Sequence, residues 1–174
     1  MSLSTTSDTP QPRAHGGFTP GSDIRDQLRG DHQKALAELE ALQAEADPQR
    51  CYELLTQLRR AWVIHALAEE TVVYRATEGV ASTDSSDRAD DRFIEHELVE
   101  GLFDKLSRSG PGTHEWHARL NIVRDLIARH IETEEKGLFR QLGERFDAAA
   151  LAEIAERFEL TREKLTLLEE AKAA

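Results

Sequence analysis

The chain has 174 residues and carries 22 basic against 33 acidic side chains, so its net charge is 22 − 33 = −11 at neutral pH. This length suits one domain with a sizeable core. Such an acidic chain is a poor candidate for binding nucleic acids or anionic membrane surfaces.

The first segment is rich in Ser, Thr, Pro and Gly and has almost no large apolar side chains. Residues 1–21 are therefore predicted to be a disordered tail. They have no apolar core of the kind a secretory signal needs, and no apolar run approaches the ~20 residues that span a bilayer. Cys51 is the single cysteine, so no intrachain disulfide can form. These features predict a cytoplasmic protein that does not interact with membranes.

Two long helices are predicted in the next part of the chain. Helix 1 is expected to begin after Ser22, a good N-cap, and to run to about Ala46. Asp47-Pro48 combines a capping residue with a proline at the first helical position, so helix 2 is expected to start there and run to about Thr77. The apolar stripe of helix 1 has helical spacing and consists of Ile24, Leu28, His32, Leu36 and Leu39.

A loop at Val80–Asp87 precedes helix 3, which is predicted from about Arg88 to Leu106. Ser107–Thr113 is predicted to be a turn, with Thr113 as the cap of helix 4, and that helix is expected to run to about Phe146.

A fifth amphipathic helix (147–170) is predicted after the capping residue Asp147. Its apolar side consists of Leu151, Ile154, Phe158 and Leu165. No segment shows sustained period-two alternation, so no strands are expected. Short links between long helices favour antiparallel neighbours. Residues 22–174 are thus predicted to form an all-α domain, an up-down-up-down four-helix bundle with an additional C-terminal helix.

An internal repeat is the most informative motif of the chain. HALAEETVVYR at His65–Arg75 recurs in degenerate form as HIETEEKGLFR at His130–Arg140. Each copy follows a single histidine at nearly the same distance, 65 − 32 = 33 and 130 − 96 = 34 residues. A His and a Glu four residues apart lie on one helix face, about one turn (~5.4 Å) apart. Six nitrogen and oxygen ligands are therefore expected to meet at one metal site that suits two ions: His32, His65, Glu69, His96, His130 and Glu134.

These four segments resemble the hemerythrin-like (HHE cation-binding) domain family over roughly residues 22–145. The order and spacing of all six ligand types match, which no single H-x-x-x-E motif would show. The resemblance implies a four-helix bundle that holds a non-heme di-iron centre, with two iron ions joined by carboxylate and by oxo or hydroxo bridges.

Several residues near the motif allow more than one interpretation. Glu100 lies where the family's oxygen carrier has an additional His, and it is either a seventh metal ligand or an ordinary helix glutamate. Glu135 competes with Glu134 as the ligand, although Glu134 matches Glu69 in the other half. Glu70 and Glu135 are otherwise expected to be solvated or to contact the ligands. Tyr74 and Phe139 lie half a turn away from the ligand face, which favours a packing role.

The remaining histidines provide an internal comparison. His15 lies in the predicted tail. His114 and His117 precede His130 by 16 and 13 residues and fall on other faces of the same helix, so they are expected at the surface near its start.

A site of imidazoles and carboxylates without thiolates suits iron, manganese or zinc in a reactive rather than a structural role. Two octahedral ions offer twelve positions, of which the six side chains fill eight, so about four remain for water, O2, peroxide or NO. This open centre favours hydrogen peroxide disproportionation or NO scavenging, with a reversible O2 carrier or an iron sensor as the alternative. A ferritin-like ferroxidase is disfavoured because the chain has no E-x-x-H motif.

Overall fold

The structure is a computed structural model that describes residues 21–77 and 89–173. Within these ranges the chain is helical and contains no strand, which confirms the predicted all-α class. The predicted tail, apart from Gly21, and the predicted loop at 80–87 lie outside the described residues. The helices are α1 (Ile24–Ala44), α2 (Pro48–Ala68), α3 (Arg75–Thr77), α4 (Ala89–Ser107), α5 (His114–Lys136), α6 (Leu138–Arg145) and α7 (Ala148–Ala173).

Side-chain caps fix most of the helix starts. The side chains of Asp47, Thr113 and Asp147 accept hydrogen bonds from backbone N–H groups three residues later, at 2.8, 3.2 and 2.9 Å, as the sequence predicted. The predicted cap of α1 is wrong. Asp23 rather than Ser22 caps this helix, and its carboxylate accepts from the backbone N–H of Arg25 at 2.9 Å. The charge of Asp23 also complements the helix dipole, which a serine hydroxyl does not.

Helices 2 and 4 were predicted to be continuous, and both predictions are wrong at equivalent places in the two repeats. A π-helical segment, Glu69–Tyr74, joins α2 to α3. The second repeat is interrupted at Gly137, where α5 ends and α6 begins. Glycine is a poor helix former, which explains the break in the second repeat. The first repeat has Val72 at the equivalent position, and its backbone forms the wider turn of a π-helix there.

The helices pack as a ring around a common interior. α1 contacts α2, α2 contacts α4, α4 contacts α5 and α5 contacts α1, while α7 covers α1 and α2. Two apolar clusters fill the interior. One contains Leu55, Trp62 and Trp116, and the other contains Leu28 and Phe139. Rings of the histidines described below contact Trp62 and Phe139, so a polar layer lies between the two clusters. None of the described helices is long and apolar enough to span a bilayer.

Candidate metal centre

The six predicted ligands converge in the polar layer between the two apolar clusters. They come from α1, α2, the π-helical segment, α4 and α5, and none is more than 5% exposed. Their ligand atoms form three overlapping groups in which all atoms lie within 4.8 Å of one another. These groups are His32, His65 and His130; Glu69, His96 and His130; and His32, Glu69 and Glu134.

Each carboxylate faces one histidine from each half of the chain. This arrangement links the two halves of the chain through the carboxylates. The Nε2–Oε2 distances are 3.5 Å for His65–Glu69, 3.7 Å for His96–Glu69, 3.3 Å for His130–Glu134 and 3.4 Å for His32–Glu134.

Several of these atoms have no hydrogen-bond partner among the described residues, although they are shielded from solvent. They include Nε2 of His32 and of His65, Oε1 of Glu69 and Oε2 of Glu134. Burying such groups without a hydrogen bond is costly, and the ion-pair distances among them of 3.3–3.7 Å are long. A cation would pair them all at once, and the set contains only nitrogen and oxygen donors, which iron, manganese and zinc accept. The residues present therefore fit a metal centre.

A surrounding layer of carboxylates orients the four imidazoles. Each ring turns Nδ1 toward a carboxylate, which favours a proton on Nδ1 and leaves the Nε2 lone pair facing the centre. The Nδ1–O distances are 3.2 Å for His32–Glu135, 3.2 Å for His65–Asp31, 2.8 Å for His96–Glu70 and 3.5 Å for His130–Glu95.

Sequence reasoning found only half of this layer. Glu70 and Glu135 contact the ligands, one of the two roles considered for them. Asp31 and Glu95 were missed. The sequence did contain a pattern that points to these two residues. Asp31 directly precedes His32 and Glu95 directly precedes His96, so each acidic residue lies next to a predicted ligand.

Tyr74 lies in the centre, so its predicted role in packing alone is wrong. Its ring is 1% exposed, and its hydroxyl lies 2.6 Å from Oε1 of Glu134 and 3.1 Å from Oε2 of Glu69. The π-helical segment explains the error. In this geometry the backbone hydrogen bonds join residues five apart, which turns Tyr74 closer to Glu69 than a regular α-helix would.

The two aromatic residues of the repeats occupy equivalent places with different chemistry. The ring of Tyr74 stacks on His96 (5.9 Å, 15° between planes) and that of Phe139 stacks on His32 (6.3 Å, 8°). Only the tyrosine brings a hydroxyl. The two halves of the centre are thus approximately symmetric. They differ in that only the first half places a hydroxyl, that of Tyr74, beside the carboxylates.

The structure also distinguishes between the two competing glutamates and places the other histidines that the sequence analysis considered. Glu134 is fully buried in the centre, whereas the side chain of Glu135 is 32% exposed. His114 and His117 are exposed at the start of α5, as predicted. Glu100 is half-buried and belongs to none of the three groups found among the described residues. Its role as a ligand stays a prediction.

Without metal, the imidazoles and carboxylates stabilise each other as ion pairs. Burial opposes protonation of His130, but Glu134 and Glu95 outweigh it and raise the pKa of His130 to about 10. The pKa of His65 rises to about 9 against the same burial, because of Glu69 and Asp31. Burial tends to raise the pKa of Glu134, yet His130 and His32 hold it well below its usual range.

These shifts predict opposite pH dependences for the two forms of the protein. A histidine whose pKa is higher in the folded than in the unfolded state stabilises the metal-free fold. This stabilisation is complete below pH ~6.5 and is lost as the pH rises through about 9 to 10. Metal binding needs neutral imidazoles and releases protons. Between pH 6.5 and 9 we expect the Tm of chelator-treated protein to fall and the increase in Tm on adding ferrous iron without oxygen to grow. A metal-induced increase that shrinks over this range would contradict the assignment of these histidines as ligands.

Comparisons with known proteins place the six converging side chains within a known metal-binding domain family. A curated relative from Nostoc sp. (strain PCC 7120 / SAG 25.82 / UTEX 2576), described as a DNA nickase, is 27% identical over 153 residues. The match covers 84% of this chain and 42% of the relative, so the chain spans less than half of that protein's length. No solved structure shows significant similarity to the chain. Residues 23–142 match the hemerythrin HHE cation binding domain, which contains all six converging side chains, and the chain therefore belongs to this family.

Proposed function

We propose that the protein is a non-heme di-iron protein that reacts with oxygen-derived oxidants, by disproportionating hydrogen peroxide or by scavenging NO. The observation that carries this proposal is the approximately twofold set of four Nε2 atoms and two carboxylates around one buried space. Each half supplies two imidazoles and one carboxylate, and each of the three groups of close ligand atoms combines residues of both halves. The small-molecule ligand is O2, H2O2 or NO.

The predicted stoichiometry is two irons per chain. Protein purified from iron-replete medium should contain close to two irons by elemental analysis, because the two halves offer equivalent ligands. A reproducible single zinc per chain, with no uptake of iron on anaerobic reconstitution, would contradict the di-iron assignment.

We infer that α1, α2, α4 and α5 form an up-down-up-down bundle with α7 as an additional helix, which the closed ring of helix contacts supports. We also infer a reducing, cytoplasmic environment, because Cys51 is the single cysteine of the sequence.

The roles of the side chains follow from their positions. A pair of bound irons would supply two one-electron exchanges, which match the two electrons of a peroxide reaction. The four imidazoles and two carboxylates hold the ions, and the acidic residues at Nδ1 keep the rings oriented. Near-complete burial of Glu69 and Glu134 excludes bulk water, which strengthens their electrostatic interactions. The hydroxyl of Tyr74 lies between the two carboxylates and donates its one hydrogen to either, with the shorter contact to Glu134.

Glu100 keeps its proposed role as a ligand or as a hydrogen-bond partner of water at the centre. It follows His96 by one turn of α4, and its pKa is raised by partial burial and by the nearby Glu70. Glu100→Gln should then lower iron occupancy and change the optical spectrum. A variant with unaltered spectrum and a stability change within ~0.5 kcal/mol would show an ordinary helix glutamate.

Reversible O2 binding or iron sensing without turnover is the second candidate. It is favoured by the complete burial of Glu69 and Glu134, since exclusion of water also protects a reversibly bound ligand. A carrier would give an oxygenated spectrum that bleaches under vacuum and returns on aeration.

We assign no DNA-nicking activity to this chain. It covers 42% of the Nostoc relative, and its net charge of −11 disfavours contact with a polyanion.

The function is tested by mixing iron-loaded protein with hydrogen peroxide or NO. We expect metal-dependent O2 evolution from peroxide or consumption of NO, both abolished in Glu69→Ala and Glu134→Ala. If the protein evolves no more O2 than free iron, leaves NO untouched and forms a long-lived oxygen complex, the carrier or sensor function is correct.

A further inference from the structure

α7 brings an arginine next to the metal centre, although this helix carries none of the six converging side chains. It packs against α1, α2 and the π-helical segment and lies outside residues 23–142, which match the domain family. Nη1 of Arg162 lies 3.2 Å from Oδ1 of Asp31. The other oxygen of this carboxylate, Oδ2, lies 3.2 Å from Nδ1 of His65. One carboxylate therefore joins α7 to a proposed metal ligand.

A second residue of α7 contacts the same imidazole. The ring of Phe158 meets that of His65 edge-on, with centroids 6.2 Å apart and 79° between the planes. Phe158 precedes Arg162 by four residues, so both lie on one face of α7, and the guanidinium carbon lies 5.7 Å from the centre of the phenyl ring. Glu159 also contacts Arg162, at 3.4 Å. These contacts restrict the positions that the guanidinium can adopt.

Asp31 lies at the edge of an open space, so polar contacts decide how its carboxylate is turned. Asp31, His65 and Arg162 all border a cavity of about 560 Å³ between α1, α2 and α7. A carboxylate in this position can rotate unless both of its oxygens are held. Since Arg162 holds one oxygen, the other stays directed at Nδ1 of His65.

Two other carboxylates that face imidazoles also have an arginine nearby, but those arginines are more exposed. Arg129 lies 3.0 Å from Glu95, and Arg29 lies 4.0 Å from Glu135. The side chains of these two arginines are 60% and 44% exposed, whereas that of Arg162 is 21% exposed. Because water screens an exposed ion pair, the contact made by Arg162 should have the largest effect on its imidazole.

We propose that Arg162 is a positioning residue of the metal centre, which holds His65 in the orientation that directs Nε2 to the ion. It acts through Asp31, since the partner of a ligating histidine fixes the orientation of the ring. Tight metal binding therefore depends on α7 as well as on the helices that carry the ligands. The inference rests on the proposed function only in its metal centre, and it holds whichever oxidant reacts there.

Titration of the metal-free protein with ferrous iron under argon tests this role. Arg162→Gln should bind iron roughly tenfold more weakly than the unmodified protein. The optical spectrum of the iron-loaded variant should also change, because one imidazole is less firmly oriented.

Arg60→Gln is the matched control. Arg60 also joins α2 to α7, with Nη2 at 3.1 Å from Oε1 of Glu170, but Glu170 is not one of the four carboxylates at Nδ1. This variant should bind iron as the unmodified protein does. Equal losses of affinity in Arg60→Gln and Arg162→Gln would show that α7 acts only by packing, and would overturn the proposal.

A double-mutant cycle shows whether Arg162 acts through Asp31. In Asp31→Ala the link to His65 is already broken, so adding Arg162→Gln should weaken iron binding far less than the roughly tenfold loss expected in the unmodified protein. Losses that simply multiply would mean that the two side chains act independently, which contradicts the proposal.

Arg162→Met keeps the test decisive if Arg162→Gln fails to fold. Methionine retains an unbranched apolar stem against Phe158 and removes only the charged group. It should show the same roughly tenfold loss of iron affinity, with thermal unfolding as the check of folding. An affinity equal to that of the unmodified protein would overturn the proposal.

The two proposals fail in different ways. Iron binding that depends on Arg162, in a protein that reacts with neither peroxide nor NO, would refute the function and leave the positioning role intact. Rapid reaction with peroxide or NO, in a protein whose Arg162→Gln variant binds iron normally, would refute only the positioning role.

Discussion

Replacing His130 by alanine should remove most of the iron and destabilise the protein by about 3–5 kcal/mol. Glu134 is 0% exposed, and its carboxylate lies 3.3 Å from Nε2 of this histidine, so the substitution leaves a buried charge without one of its partners. His65→Ala should act in the same way on Glu69. Elemental analysis measures the iron, and chemical denaturation measures the free energy of unfolding.

The same helix supplies the control. His117 is exposed near the start of α5, and His117→Ala should leave the iron content unchanged and alter stability by no more than ~0.5 kcal/mol. Equal loss of iron in His117→Ala and His130→Ala would mean that the assigned face of α5 does not hold the metal.

Tyr74→Phe should lower the free energy of unfolding by about 1–3 kcal/mol, because the pair of buried carboxylates loses the one O–H donor that lies between them, 2.6 Å from Glu134. The phenyl ring keeps the stacking on His96, so the loss is confined to the hydroxyl. The variant resembles the other half of the centre, where Phe139 occupies the equivalent place. We also expect a changed optical spectrum in the iron-loaded form, since Glu69 and Glu134 lose their common orienting contact.

Tyr52→Phe is the matched control for this substitution. The hydroxyl of Tyr52 donates to the backbone oxygen of Ser109 at 3.0 Å, but the side chain is 36% exposed, so water replaces the lost bond. Its effect should stay within ~0.5 kcal/mol with an unaltered spectrum. If both variants behave alike, Tyr74 does not orient the carboxylates.

The sequence predicted the helical class and the convergence of six side chains because regular helices have a fixed period. His65 and Glu69, four residues apart, lie on one face whatever the rest of the fold does. The same rule misplaced Tyr74, because a π-helical turn depends on tertiary packing and leaves no simple pattern in the sequence. The contact between His32 and Glu135 could not be predicted either. It joins residues 103 apart in the chain, and only the packing of α1 against α5 brings them together.

The crossed contacts of the two halves have a consequence for how the protein folds. Glu70 of the first half contacts His96 of the second, and Glu135 of the second half contacts His32 of the first. Each of the three groups of close ligand atoms also combines residues of both halves. Neither repeat can therefore complete a ligand set alone, and His32 must meet Glu134 before all the ligands are assembled. Closing such a long loop comes late in folding because its entropy cost precedes its gain. A partly synthesised or partly unfolded chain thus offers only fragments of the centre, so under the proposed function we expect tight metal binding only in the finished fold.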